Sequence, residues 1–233
     1  MAGQSYDGKV VVLTGANGAI GMAAAKLMAE RGAQIFAVDM PGTDWAAFRD
    51  AVGHENKVAT TEADVTREAD VKAYVDAAVD RFGTIDVFFT NAGIEGKYQT
   101  IDELDIENLE KVLAVNVKGV AMGMKYVLPV MYKAGSGAIV NMSSVAGLGG
   151  SPGLLPYITS KHAVIGMTRT AALEAGPKGI RVNCVNPGPI ESRMMDSINT
   201  GQGDKTSAHE ATASSIAMGR YGTPEEVAGI MAF

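Results

Sequence analysis

Apolar residues along this chain fall into short, nearly unbroken runs, separated by longer stretches in which they recur every three or four positions. The runs are "KVVVLT" (9–14), "AQIFAVD" (33–39), "KVATTEAD" (57–64), "IDVFFT" (85–90), "AIVNMS" (138–143) and "IRVNCVN" (180–186). Strands with one wet face alternate apolar and polar residues; runs this continuous predict six strands of a parallel sheet covered on both sides. The longer periodic stretches predict helices near 19–31, 43–52, 67–82, 103–133 and 156–175. Strand and helix in alternation imply an α/β fold, a doubly wound parallel β-sheet with helices on both faces. Right-handed crossovers leave few topologies open to it. No linker or low-complexity tract interrupts 1–233, so a single domain is expected. The segment 191–217, "ESRMMDSINTGQGDKTSAHEATASSIA", is weaker in pattern and reads as a flap.

The length of 233 residues suits one large domain. A net charge of −6 argues against a general nucleic-acid binder, which needs cationic side chains to replace phosphate counterions. The one cysteine, Cys184, rules out an internal disulfide framework and fits a reducing compartment; its apolar run marks it as a core side chain. "MAGQSYDGK" lacks the apolar core of a signal peptide, and no stretch is long enough to span a membrane. A soluble, cytoplasmic protein without nucleic-acid or membrane partners is expected. His54 and His209 lack ligand partners at usable spacing, so no metal is expected.

In an open parallel sheet, ligands bind beyond the carboxyl ends of the strands. "TGANGAIG" (14–21) stands at such a place, after the first strand and at the start of the first helix. Gly15, Gly18 and Gly21 permit a tight turn and close approach of backbone to a pyrophosphate, whose charge the helix N-terminus meets. Asn17, Ala19 and Ile20 belong to the same turn. Asp39 ends the second strand, where an acidic residue accepts hydrogen bonds from an adenosine ribose. An aspartate there repels a 2′-phosphate, and the following "MPG" offers no arginine to attract one. The cofactor expected is NAD rather than NADP.

"LPYITSKHA" (155–163) poses a separate question. Tyr157 and Lys161 are four positions apart, hence on one helix face, and only this one of the seven tyrosines has a lysine at that spacing. A snorkelling lysine beside a half-buried tyrosine is the plain reading of an isolated pair.

Taken together, these motifs resemble the short-chain dehydrogenase/reductase family over essentially the whole chain. "TGANGAIG" is similar to its Thr-Gly-x-x-x-Gly-x-Gly turn at Thr14, Gly15 and Gly21, and departs from it at Ala19. "EADV" puts Asp64 and Val65 where the family holds the adenine ring. "TNAGI" (90–94) resembles an Asn-Asn-Ala-Gly segment, with Thr90 replacing the first asparagine and Asn91, Ala92 and Gly93 matching. "NVKGV" supplies Asn116, "NMSSVAG" supplies Ser144, and "YITSK" supplies the tyrosine–lysine pair. Ser144 is preferred to Ser143 because it stands thirteen positions before Tyr157, as the family's serine does. "NPGPIES" (186–192) places Pro187, Gly188, Ile190 and Ser192 against the nicotinamide.

The resemblance implies a Rossmann-type fold and an NAD-dependent oxidoreductase that moves a hydride between the cofactor and a small-molecule secondary alcohol or ketone. Tyr157 is then the acid/base, Lys161 lowers its pKa and holds the ribose, Ser144 binds the substrate oxygen, and Asn116 fixes a water for proton relay. A free tyrosine, with a pKa of ~10, is a poor base without such help. Two other readings stay open: an NADPH-dependent 3-ketoacyl-carrier-protein reductase, and a cofactor-binding protein without catalysis. Met194 and Met195 in the flap are candidates to cover an apolar substrate, while Met122, Met124 and Met131 read as helix-packing residues. Family members continue beyond "TPEEVAGIMAF" to a last strand, which is expected to be missing here. They also pack helices like 103–133 and 156–175 across a subunit axis, so a homodimer or homotetramer is expected.

Overall fold

The computed structural model describes residues 5–53 and 57–232. Expectations about residues 1–4, His54 and the end at Phe233 lie outside them.

The six apolar runs form β1 (Val10–Thr14), β2 (Gln34–Asp39), β3 (Val58–Glu62), β4 (Val87–Thr90), β5 (Gly137–Met142) and β6 (Ile180–Val185). They make one parallel sheet in the order β3-β2-β1-β4-β5-β6. The chain works outward from β1 in one direction, then restarts on its other side with β4. Between β1 and β4 the crossovers leave by opposite faces, which opens a crevice at the carboxyl ends of the strands.

Each face of the sheet has its own apolar core. On one side α1 (Ala19–Glu30), α2 (Ala46–Val52) and α9 (Pro224–Met231) bury Met28, Phe48, Val227 and Met231 against β1 and β2. On the other, α3 (Glu68–Phe82), α5 (Gly119–Ala134) and α6 (Leu155–Ala175) bury Val71, Val127, Met131 and Val164. Both layers exclude water, which explains the runs without alternation in β1 and β4, where every residue is buried. Met122, Met124 and Met131 are buried. Cys184, on the edge strand β6, is only half-buried.

Three departures from periodicity bear on the site. The stretch 103–133 is not one helix: α4 (Ile106–Leu113) passes through a π-turn, Ala114–Lys118, into α5. The wider turn rotates Asn116 into the interior, where it is buried. The second helix starts at Ala46 rather than near 43, because the Asp44 carboxylate accepts the Ala46 N–H and ends the preceding turn. The flap has regular structure: α7 (Arg193–Gly201) is capped by Ser192 and α8 (Lys205–Ser215) by Asp204.

Candidate active site

A cavity of about 1120 Å³ fills the crevice at the carboxyl ends of the strands. One end is built by the turn after β1. Gly15 has φ +65°, and a side chain there would bring its Cβ within 2.8 Å of Ala92 Cα. Gly21 is pressed still harder, its Cβ position lying 2.3 Å from the Gly15 carbonyl oxygen. Glycine is therefore required at both positions, at Gly15 by the segment after β4 and at Gly21 by the packing of α1 on the turn after β1. Gly18, Ala19 and Ile20 line the cavity at the N-terminus of α1, which no side chain caps. Its first N–H groups thus face the cavity without intrahelical partners. Gly21 and Asn17 are off the wall: Gly21 holds helix to strand, and Asn17 serves through its backbone.

Asp39, at the end of β2, also lines the cavity. Its Oδ2 accepts the Asn17 N–H at 2.8 Å and its Oδ1 the Met40 N–H at 2.8 Å, which fixes the carboxylate's orientation. Asp64 and Val65 follow β3 on the same wall. The Asp64 carboxyl is held below the usual range, first by the Thr66 hydroxyl, which donates to it at 2.7 Å, and then by the Thr66 N–H. Asn91, Ala92 and Gly93 form the floor after β4, and Asn91 Nδ2 donates to the Gly15 carbonyl at 2.8 Å, joining floor to turn. Pro187, Gly188, Ile190 and Ser192 line the far side after β6.

α6 brings the tyrosine and lysine to this cavity. Pro156 stands in its first turn, and Lys161, Val164, Thr168, Ala171 and Ala175 form a buried stripe that seats the helix on the sheet. Tyr157 extends that stripe by one turn, onto the wall. Lys161 is buried, and its Nζ donates to the Met142 carbonyl oxygen at 2.8 Å while lying 5.4 Å from the Tyr157 ring centroid. Burial holds the Lys161 ammonium down to about 8. Burial likewise pushes the Tyr157 hydroxyl above the usual tyrosine range; the Ser144 hydroxyl acts the other way, and the Glu95 carboxylate reinforces the rise. The expected lowering of Tyr157 by Lys161 is not among these influences: the lysine Nζ donates to the Met142 carbonyl and not to the phenol.

The two serines separate as strand alternation demands. Ser143 is buried and donates to the Lys161 carbonyl at 2.9 Å. Ser144 lies between Tyr157 and Pro187, its Oγ accepting the Ala146 N–H. Asn116 lies behind the wall. Its Nδ2 donates to the Ile94 carbonyl at 2.9 Å and to Ser160 Oγ, and its Oδ1 accepts the Ile94 N–H. A Cβ at Gly93 would stand 3.3 Å from Asn116 Oδ1 and 3.6 Å from Lys161 Nζ, so a side chain here would press on both groups.

A family model for short chain dehydrogenases matches residues 9–203. The chain belongs to the short-chain dehydrogenase family. Levodione reductase of Leifsonia aquatica is 38% identical over 234 residues, covering 98% of this chain and 87% of the relative. Cyclohexanol dehydrogenase of Acinetobacter sp. (strain SE19) is 36% identical, covering 98% and 88%. Among solved structures, NAD+-bound xylitol dehydrogenase matches with a TM-score of 0.93 at 34% identity, covering 99% of this chain and 93% of that one.

For a short-chain dehydrogenase the departure at Ala19 is understandable. Ala19 opens α1 at an exposed place, where a methyl displaces no backbone, unlike the pinched sites of Gly15 and Gly21. Among the described residues, sequence reasoning did not single out Lys111 and Val115, which reach the wall from α4 and the π-turn, nor Gln202 and Thr212 of the flap. No local signal marks them. They face the cavity only because the helices that carry them pack beside it. Met194 and Met195 do line it, with Ile198 on the same helix.

Proposed function

We propose that this short-chain dehydrogenase interconverts a secondary alcohol and a ketone with NAD(H) as redox partner. The observation that carries the reading is continuity: the uncapped start of α1, the Asp39 carboxylate, and the Ser144, Tyr157 and Lys161 side chains all border one cavity or lie beside it. The residues present fit a dinucleotide. Gly15, Gly18, Ala19 and Ile20 would hold the pyrophosphate, Asp39 the adenosine ribose, Asp64 and Val65 the adenine, with Gly21 and Asn17 supporting the turn. Asn91, Ala92, Gly93, Lys161, Pro187, Gly188, Ile190 and Ser192 would hold the nicotinamide half.

When bound there, NADH would supply the hydride for the carbonyl carbon and NAD+ would accept it in reverse. The chain's own task is to bind one oxygen and move one proton. With its hydroxyl protonated by burial, Tyr157 is set to donate a proton to a ketone oxygen. Ser144 offers a second hydroxyl to that same oxygen, stabilising charge as it develops. Asn116 would fix a water that links Lys161 to bulk solvent, from which the proton on Tyr157 is replaced. Met194, Met195 and Ile198 would cover an apolar substrate and exclude water.

The carrier-protein reductase reading is the weaker one, because Asp39, oriented by two backbone N–H groups, would face the 2′-phosphate of NADPH with like charge. We also infer a homodimer or homotetramer: Ile106 on α4 and Leu173 on α6 are exposed on helices that family members use at a subunit axis. Cytoplasmic residence accords with the one free thiol; among the described residues no helix is long and apolar enough to cross a membrane. Calorimetric titration with NADH and NADPH, followed by assay of cyclic and open-chain secondary alcohols, tests the reading. Preference for NADH, weakened in Asp39→Ala, is expected. Tighter binding of NADPH, or oxidation of no alcohol with NAD+, would overturn it.

A further inference from the structure

Beside the cavity, two glycines from different elements close on the exposed Tyr98. A Cβ built on Gly153 would lie 2.3 Å from Tyr98 Cζ, and one on Gly201 would lie 2.7 Å from Tyr98 Cβ. Gly153 immediately precedes the wall residue Leu154. That segment is tied to the tyrosine's own: the Gln99 N–H donates to the Gly153 carbonyl at 2.9 Å, and Gln99 bridges to Leu154. Gly201 is the last residue of α7, the helix whose Met194, Met195 and Ile198 line the cavity, and Gln202 on the wall follows it. Tyr98 is thus fastened on the α6 side and abuts α7 on the other. The atom facing Gly201 is the tyrosine Cβ, which cannot swing aside as a flexible side-chain end can. Just before Gly201 in α7, Asn199 is buried and its Oδ1 accepts from the Tyr221 hydroxyl at 3.2 Å, so the end of the helix is held at one residue and stopped at another.

We propose that Tyr98 is the stop on which α7 seats, and that this contact sets the largest alcohol or ketone the cavity admits. The first half stands on geometry alone; the second rests on the oxidoreductase reading. Any side chain at 201 drives α7 away from Tyr98, enlarging the space under Met194 and Met195. Alanine is by itself a better helix former than glycine, so loosening of α7 by Gly201→Ala can only come through the contact.

The test combines hydrogen–deuterium exchange of peptides covering 193–201 with the ratio of kcat/KM for 4-tert-butylcyclohexanol to that for cyclohexanol. Gly201→Ala is expected to speed exchange severalfold and raise the ratio. On a Tyr98→Gly background, where the opposing Cβ is gone, the same substitution should change neither. Equal effects in both backgrounds, or none in either, would overturn the proposal. If Tyr98→Gly does not fold, the series Gly201→Ala, Gly201→Leu decides. The stop predicts faster exchange with bulk, whereas slower exchange in both, the order of helix propensity, overturns it. If neither alcohol is turned over, the claim about substrate size falls, while the exchange data still decide the contact and the wider alcohol panel decides the oxidoreductase reading.

Discussion

Lys161 Nζ lies 2.8 Å from the Met142 carbonyl oxygen and 5.4 Å from the centroid of the Tyr157 ring. One turn of helix puts the two side chains on the same face, yet the ammonium donates to a strand end and not to the phenol. The ammonium stands at a place dry enough to bring its pKa to about 8.

Tyr157→Phe should leave NADH binding intact while turnover falls by roughly 10²–10⁴, the usual worth of a positioned acid/base group. Calorimetry and steady-state rates on the same preparation check it, and near-normal kcat would remove Tyr157 from its proposed role.

Glu95→Gln should shift the pH profile of alcohol oxidation. Oxidation needs the ionised tyrosine, and the Glu95 carboxylate holds Tyr157 up by like-charge repulsion, behind the larger effect of burial. Neutralising it lets the phenol ionise at lower pH, so the rising limb moves toward neutrality. Salt should shrink the shift, since Glu95 is only half-buried. A limb that stays put, or moves to higher pH, contradicts the assignment.

A methyl group at residue 93 would press on Asn116 Oδ1 at 3.3 Å and lie 3.6 Å from Lys161 Nζ. Gly93→Ala should therefore shift these two side chains and lower kcat about tenfold, since small misplacements at a site are costly. Rates at saturating alcohol measure this directly; an unchanged kcat would mean that the placement of Asn116 and Lys161 does not limit turnover.

Lys161→Met should alter how stability responds to pH. The folded pKa of Lys161 is depressed from 10.5 to about 8, so between those values the unfolded chain binds the proton that the folded chain has lost. Through this group, stability rises with pH across that window and the destabilisation is fully present below it. Removing the amine should favour the variant most at pH 7, by up to about 3 kcal/mol less the lost bond to Met142, and the advantage should fade by pH 10. Melting curves at the two pH values test the sign. A gap between variant and wild type that does not narrow with pH would refute it.

The six strands were legible because burial on both faces writes itself into consecutive residues. Val10 to Leu13 have no polar position to spare, and the structure buries each of them. Gly15 and Gly21 were legible for a related reason, since backbone atoms lie where a side chain would be. The inserted π-turn at Asn116 was not. Helical periodicity continues on either side of it, and one extra residue in a turn leaves no mark on the pattern. Nor was the regular structure of the flap: α8 buries no residue and leans on its Asp204 cap, while α7 is a short helix capped by Ser192 whose apolar residues face the cavity and not the sheet.

By itself, then, the sequence determined what is written in local spacing: the alternation of strand and helix, the glycine turn, Asp39 at a strand end, and Tyr157 with Lys161 one turn apart. Only the tertiary structure decided which partner each polar atom takes. It gave Ser143 to the Lys161 carbonyl and left Ser144 beside Tyr157; it gave the lysine to Met142, and it set Glu95 near Tyr157 and Tyr98 against Gly153 and Gly201, partners far from them in the chain. Periodicity fixes the face on which a side chain emerges. What waits on that face depends on how elements far apart in the chain are brought together.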